Sequence, residues 1–292
     1  MKRTRGDVIF DTVNYFLISA FFLMILYPLY FIIIASISNP DYVNTGAITF
    51  LPRGITLEGF TRTLREANVW RGYANTILYT SVGTTINVSL TMTAGYALSR
   101  KELLGWSVIM RLIVFTMLFS GGLIPTYLIV KGLGMTNTLW AMVIPNAVSA
   151  WNLIIARTYL QQNIPQELLE ASLVDGCSYA RFFWEVVVPL SGAIIAVLSL
   201  LYAVAHWNSF FTGLIYLQDY SKYPLQLILR DILLGFQTSG AADDAKTLQE
   251  MQRIADLMKY ALILVSSFPV MVLYPFLQRY FVKGVMVGAI KG

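Results

Sequence analysis

The sequence has one histidine, His206, and one cysteine, Cys177, among 292 residues, and only 13% of its side chains are charged. A lone cysteine cannot close an internal disulfide, so no oxidising framework is implied, and its apolar surroundings suit a small packed residue. A lone histidine makes no metal site by itself, and neither His-Glu-x-x-His nor Cys-x-x-Cys occurs. Gly-x-x-x-x-Gly-Lys-[Ser/Thr] is missing too, so the chain has no phosphate-cradling loop with which to hydrolyse ATP. Gly-x-Ser-x-Gly is absent, and so are paired carboxylates inside the apolar segments. These absences remove the usual hydrolase, zinc and redox chemistries; no catalytic residue, metal ligand or cofactor of its own is assigned to the chain. The lack of buried acids also weakens a proton- or sodium-coupled carrier, whose relays depend on them. No inverted internal repeat is visible.

What is present is apolar. The chain is 57% hydrophobic, with a mean hydropathy of +0.63, whereas soluble domains carry roughly 25% charged residues. The composition is that of an integral membrane protein. A net charge of +5 does not point to nucleic acid, because basic residues flanking membrane spans set topology and account for it.

Residues 1–11 carry Lys2, Arg3 and Arg5 and precede an apolar run from about Val13 to Ile37, too long for a signal-peptide core. This is the first predicted span, with Pro28 kinking rather than ending it. A mixed segment, Ser38–Arg71, follows as an extramembrane loop; within it Leu57–Trp70 has the apolar spacing of a surface-lying amphipathic helix or of a solvated connector. The second span, about Tyr73–Leu98, is rich in hydroxyl and amide side chains, which partner helices accept and hydrocarbon penalises. The short basic turn Ser99–Glu102 precedes a third span at about Ser107–Val130. The fourth runs from about Leu139 to Leu160, the fifth from about Gly192 to Leu217 and the sixth from about Met258 to Val282. The outer segment Gln218–Leu257 reads as a docking surface or a mobile loop. The expected fold is all-α and integral to the membrane, with six transmembrane helices and both termini cytoplasmic, since the short connections and tails on that side are basic. The expected divisions are 1–71, an N-terminal helix and outer loop; 72–282, a bundle of the remaining five spans; and 283–292, a cytoplasmic tail.

Five polar residues at membrane depth are candidates for lining a path: Asn87, Asn146, Asn152, His206 and Asn208. Helix packing is the competing role for each. An ionisable side chain in a span is a functional candidate by default, and a packed or cargo-facing neutral imidazole suits His206 better than a proton relay.

The fourth and fifth spans are joined by a polar insert at about 161–191, containing ELLEASLVDGCSYARFFWEVVVPLS. Pro165 at its start, with Glu167 and Glu170 in the first turns, predicts a helix N-terminus. Asp175-Gly176 predicts its end, glycine supplying the left-handed cap. A second helix should start near Ser178 and be interrupted by Pro189.

Glu170, Ala171, Asp175, Gly176, Phe183, Trp184, Pro189 and Leu190 stand at the spacing of the EAA loop of ABC-importer permeases, and the chain resembles that family from about Tyr73 to Gly292. Ser172 and Cys177 depart from it, small residues in places usually held by Ala. The resemblance implies the type I importer transmembrane fold and a cytoplasmic coupling helix. Glu167, Glu170, Ala171, Ser172, Asp175 and Gly176 would couple it to the ATPase, with Glu170 meeting a basic residue in a cleft there. It further implies a second, different permease, a dimer of ATPase subunits that bind the ATP and Mg, and an extracytoplasmic solute-binding protein. The location would be the bacterial cytoplasmic (inner) membrane. The closing run Phe281–Gly292 resembles the carbohydrate branch, and SGGLIPTYL and WNLIIARTYL resemble permeases for complex or acidic oligosaccharides, alginate among them. An ion-coupled carrier or channel working without an ATPase, and a non-transporting scaffold, are the alternatives.

Overall fold

The computed structural model describes residues 4–238 and 252–273, the stretch 235–238 by backbone alone, and among these every regular element is helical. In chain order they are α1 Arg5–Ser36, α2 Pro40–Asn44, α3 Glu58–Arg65, α4 Ala67–Ser99, α5 Trp106–Leu118, α6 Leu123–Gly132, α7 Leu139–Val143, α8 Ala150–Asn163, α9 Gln166–Val174, α10 Tyr179–Phe182, a π-turn Phe183–Val187, α11 Val188–Leu190, α12 Gly192–Trp207, α13 Phe210–Tyr216, a 3₁₀ turn Tyr220–Lys222, α14 Leu225–Thr238 and α15 Gln252–Leu273. The described residues fall into two compact units: one holds those up to 69 and those between 229 and 268, the other residues 70–228 and 269–273.

In the first unit, α1 starts with a capping box in which Thr4 and Asp7 bond each other's backbone N–H groups. At 32 residues the helix is about 48 Å long, runs unbroken through Pro28, and buries only Ile34, Ala35 and Ser36. Its apolar residues face outward all round, as a membrane span requires. The expected helix over Leu57–Trp70 is shorter. It ends at Arg65, and after Glu66 in extended backbone the chain restarts as α4. Gly59 lies so close to the Leu257 carbonyl that a Cβ would overlap it, and Asn44 Nδ2 donates to Asp256 Oδ2 at 2.7 Å.

In the second unit the organising element is α4, 33 residues long. Gly72, Thr76, Tyr79, Gly83, Asn87, Thr91, Gly95 and Leu98 are all buried. They recur every three or four residues and so form one stripe. The stripe packs on α8 and α12 with the cluster Met92, Ala156, Leu160, Phe182, Val187, Leu198 and Tyr202.

Two described helices are individually long and apolar enough to cross a membrane, α1 and α15. Three predicted spans are broken rather than continuous. The third splits at Phe119–Gly122 into α5 and α6, bent by 115°, because Gly122 turns the chain at a φ of 84°. The fourth splits between α7 and α8 at Pro145, which has no N–H to continue a helix, and restarts where Ser149 caps α8. The fifth breaks at Asn208-Ser209, where the Val204 carbonyl accepts from both the Asn208 N–H at 3.1 Å and the Asn208 side chain at 2.9 Å. The sixth starts at Gln252, earlier than expected. Its predicted end at 274–282, the tail 283–292 and most of the polar tract Thr238–Arg253 lie outside the described residues.

Candidate functional site

The insert between α8 and α12 folds as two short helices around one glycine. α9 begins after Pro165, with Glu167 in its first turn. Pro165 itself is in extended backbone just outside the helix. At the other end Gly176 has a φ of 77°. The Gly176 N–H donates to the Leu173 carbonyl at 3.0 Å and the Cys177 N–H to the Ser172 carbonyl at 2.9 Å. These two bonds make a Schellman motif, which needs a left-handed residue at the turn and explains why glycine stands there. Ser178 then caps α10 by accepting from the Arg181 N–H at 3.3 Å. The π-turn Phe183–Val187 comes next. It loosens the helix just before Pro189, whose ring would otherwise meet the carbonyl one turn back. The insert joins α12 at 81°.

What fixes the insert is apolar. Leu169 on α9, Phe182 on α10 and Phe183 are buried in the cluster with Met92, Leu160 and Val187. Tyr96 packs on both phenylalanines, with ring centroids 6.4 and 5.4 Å away. The opposite face is open: Glu167, Glu170, Ala171, Asp175 and Gly176 are exposed, and Ser172 is half-buried with its hydroxyl on the Leu168 carbonyl at 2.7 Å. Apolar residues share that face, Val174 at 89% exposure and Tyr179 at 62%. Arg181 and Glu185 pair along the helix at 2.9 Å, and that bond raises the Arg181 pKa further. The result is a stiff, two-helix platform with a buried root and an outer face of carboxylates and uncovered apolar groups.

The second polar assembly is the seam between α4 and α12. Asn87 Nδ2 lies 2.9 Å from His206 Nε2, and Gly83 lies against the imidazole so closely that a Cβ would overlap it. One helical turn further, Thr91 Oγ1 and Tyr202 OH are 2.7 Å apart, and Tyr202 OH also accepts from the Ser149 N–H at 3.1 Å. A neutral imidazole fits this seam by accepting at Nε2.

Of the five path candidates, Asn87 and His206 are thus brought together and are buried. Asn152 is buried on α8, its N–H turned to the Ser149 hydroxyl at 3.5 Å. Asn146 and Asn208 are exposed. A cleft of about 720 Å³ opens beside the seam, with Thr80, Ser81, Thr84 and Thr85 of α4 facing Leu200, Val204 and Trp207 of α12. Tyr202, Ser149 and Gly83 were missed by reading polar residues alone. The i, i+4 spacing of Asn87 and Thr91 opposite that of Tyr202 and His206 is the signal that finds them.

An amphipathic platform rooted between two apolar segments, beside a polar interhelical seam, is the arrangement of a membrane permease. No family model matches the chain. Among individual proteins, it is 36% identical over 285 residues to the polygalacturonan/rhamnogalacturonan transport system permease protein YtcP of Bacillus subtilis (strain 168), covering 97% of this chain and 99% of that one. It is 35% identical over 292 residues to protein LplC of the same organism, covering 100% and 98%. A chain in the crystal structure of a bacterial ABC transporter involved in the import of the acidic polysaccharide alginate superposes with a TM-score of 0.85 at 31% identity, covering 96% of this chain and 99% of that one. The chain belongs to the permease-subunit family of ABC importers.

Proposed function

We propose that this permease forms half of a translocation path for an oligosaccharide, with uronate-containing fragments the favoured class, in the bacterial cytoplasmic membrane. Its partners are a second, different permease, a dimer of ATPase subunits that bind the ATP and Mg, and an extracytoplasmic solute-binding protein. The names of the polygalacturonan and alginate systems support the substrate class. Six crossings with both termini inside are proposed: α1, α4, the bent pair α5–α6, the broken pair α7–α8, α12 with α13, and α15.

The observation that carries the coupling role is the Schellman-capped helix Gln166–Val174, rooted by Leu169 and offering Glu167 and Glu170 outward. A stiff segment fused to α8 and α12 carries a rigid-body movement into the bundle, where a loose loop would absorb it. In this reading Glu170 meets a cationic side chain of the ATPase, with Ala171 and Ser172 keeping the contact close. Asp175 and Gly176 hold the turn. Asn146 and Asn208 face the cargo, while Asn87, His206 and Asn152 hold the wall behind them.

The test is reconstitution of the whole importer in liposomes with Glu170→Lys or Gly176→Pro. Both variants are expected to insert normally and to lose import while the ATPase subunits retain hydrolysis. Full import by either variant would refute the coupling role, and import by this chain alone under an ion gradient would replace it with a secondary carrier.

A further inference from the structure

Two tyrosines tie α1 to the loop that follows it. The chain leaves the helix at Ile37 and is closed into a hook by two backbone bonds at its neck. The Thr56 N–H donates to the Ile37 carbonyl at 2.9 Å, and the Asn39 N–H to the Arg53 carbonyl at 3.1 Å. The tip of the hook turns back along the helix. There the Tyr30 hydroxyl donates to the Phe50 carbonyl, and the Tyr27 hydroxyl lies 3.4 Å from the Thr49 carbonyl. The Tyr27 and Phe50 rings meet edge to face, with centroids 5.9 Å apart. Tyr30 and Tyr27 stand about 9 and 14 Å short of the helix end at Ser36, so the tip descends beside α1 and does not rise away from it.

The register of α1 says how deep that is. Its last charged residue is Asp11, and Tyr27 and Tyr30 lie about 24 and 29 Å further along, against a hydrocarbon core of about 30 Å. Tyrosine is also a residue type that sits at the membrane–water boundary. Burial agrees. Every residue from Thr12 to Tyr30 is exposed, protein cover begins at Phe31, and Ile34, Ala35 and Ser36 are buried. At this height the hook buries Ile48 but leaves Phe50 67% and Leu51 74% exposed. The Phe50 and Leu51 N–H groups bond nothing among the described residues, which bars them from hydrocarbon but not from the headgroup boundary, where acceptors are at hand. Arg53, two residues on, is exposed and has no ion pair among the described residues. The exposed residues of α1 over this stretch, Met24, Leu26 and Leu29 among them, are large, whereas protein contacts between spans favour small ones.

We infer that Phe50 and Leu51 are seated in the bilayer beside α1, at the boundary of acyl chains and headgroups, with Arg53 level with the phosphates. The partner is phospholipid, of the outer leaflet in the proposed topology, and the loop expected to lie clear of the membrane is anchored in it. The anchor has a use. At about 48 Å, α1 is longer than the hydrocarbon it crosses, so its length alone does not fix which stretch is immersed. Boundary residues set that register, and the hook acts as a stop that keeps α1 from sliding along the membrane normal.

Fluorescence quenching in the assembled importer, reconstituted in phosphatidylcholine liposomes, tests the depth. A genetically encoded fluorescent amino acid is placed at position 51, at position 45 higher on the same loop, or at position 24 within α1. The quenchers are aqueous iodide and phosphatidylcholines brominated either high on the acyl chain or near its end. Position 51 is expected to be quenched by iodide severalfold less than position 45, and more by the high bromines than by the low ones. Phe50→Asp should raise iodide quenching at position 51 to the level of position 45 and change the ratio of the two bromine signals at position 24. Phe50→Trp, which keeps a boundary residue, should change neither. Equal iodide quenching at positions 51 and 45 without any change at Phe50 would overturn the inference. So would shielding from iodide with no response to either brominated lipid, which would mean that the second permease or the solute-binding protein covers the hook. An unmoved bromine ratio at position 24 in a Phe50→Asp protein whose hook has become iodide-accessible would overturn the role as a stop. The arms that leave Phe50 intact decide the depth even if Phe50→Asp does not assemble. Import is not part of the readout, so its loss with the depth profile intact would count against the proposed function alone.

Discussion

His206 Nε2 and Asn87 Nδ2 stand 2.9 Å apart, and Gly83 is what lets them meet, since a Cβ there would overlap the imidazole. Two magnitudes rank the consequences. Overpacking a tight contact costs about 1–3 kcal/mol, whereas an interhelical hydrogen bond between membrane spans averages about 0.6 kcal/mol. Gly83→Ala should therefore lower the thermal unfolding midpoint of the purified complex more than Asn87→Leu does. A Gly83→Ala protein as stable as wild type would show that the ring has room to move and that the seam is looser than its geometry implies.

The Tyr202 hydroxyl serves two helices at once, bonding Thr91 Oγ1 and the Ser149 N–H. Tyr202→Phe strips both contacts and leaves the Ser149 N–H without its acceptor, a loss of about 0.5–2 kcal/mol. Thr91→Val leaves the Ser149 bond in place and should cost less. Thermal unfolding of the two single variants and the double variant checks this order. A larger effect from Thr91→Val would mean that the Ser149 bond contributes little.

These contacts also show how far the sequence could be read. The insert was legible because glycine and proline act locally: Gly176 has to be left-handed to close the Schellman turn, while Pro189, expected to interrupt the next helix, is carried inside it to Leu190 behind the π-turn Phe183–Val187. The bends in the third, fourth and fifth spans were not legible from hydropathy. Hydropathy averages over a window, while Gly122, Pro145 and Asn208 each act at a single peptide. The meeting of Asn87 with His206, 119 residues apart in the chain, depends on which face of α4 packs against α12. That face is marked by glycines and hydroxyls rather than by apolar residues, so an apolar-periodicity reading passes over it. The branch that resembled acidic-oligosaccharide permeases was visible in short motifs, and the identity to the polygalacturonan system permease spans the chain.

Asp219 offers a test by pH outside the membrane spans. Its carboxylate accepts from the Ser221 hydroxyl at 2.7 Å and the Ser221 N–H at 2.9 Å, and those bonds hold its pKa below the usual value. A depressed folded-state pKa means that the contribution to the turn is complete above the unfolded value of about 3.9. It is lost as pH falls through the lower folded value. The protection factor of the Ser221 amide in hydrogen exchange should therefore stay level from neutral pH down to about 4 and fall below it. Asp219→Asn should abolish that fall. Loss of protection already above about pH 5 would assign the turn's order to another group.

The last prediction concerns the root of the coupling insert rather than its outer face. Leu169 and Phe182 are 6% and 0% exposed, and they tie α9 and α10 to the cluster that contains Leu160 and Leu198. Truncating Phe182 to Ala removes a whole ring from a closed site, a cost of about 3–5 kcal/mol that endangers the fold. Leu169→Ala removes less, and its site lies at the insert's edge, so assembly should survive. If rigidity transmits the ATPase movement, Leu169→Ala should leave hydrolysis close to wild type while import falls severalfold, with the ratio of ATP hydrolysed to substrate moved rising accordingly. Leu169→Met, which refills the volume, should restore the ratio. Equal falls in hydrolysis and import would instead mean that Leu169 only supports docking. An unchanged ratio in the Ala variant would mean that the insert transmits force through its outer carboxylates without needing its buried anchor.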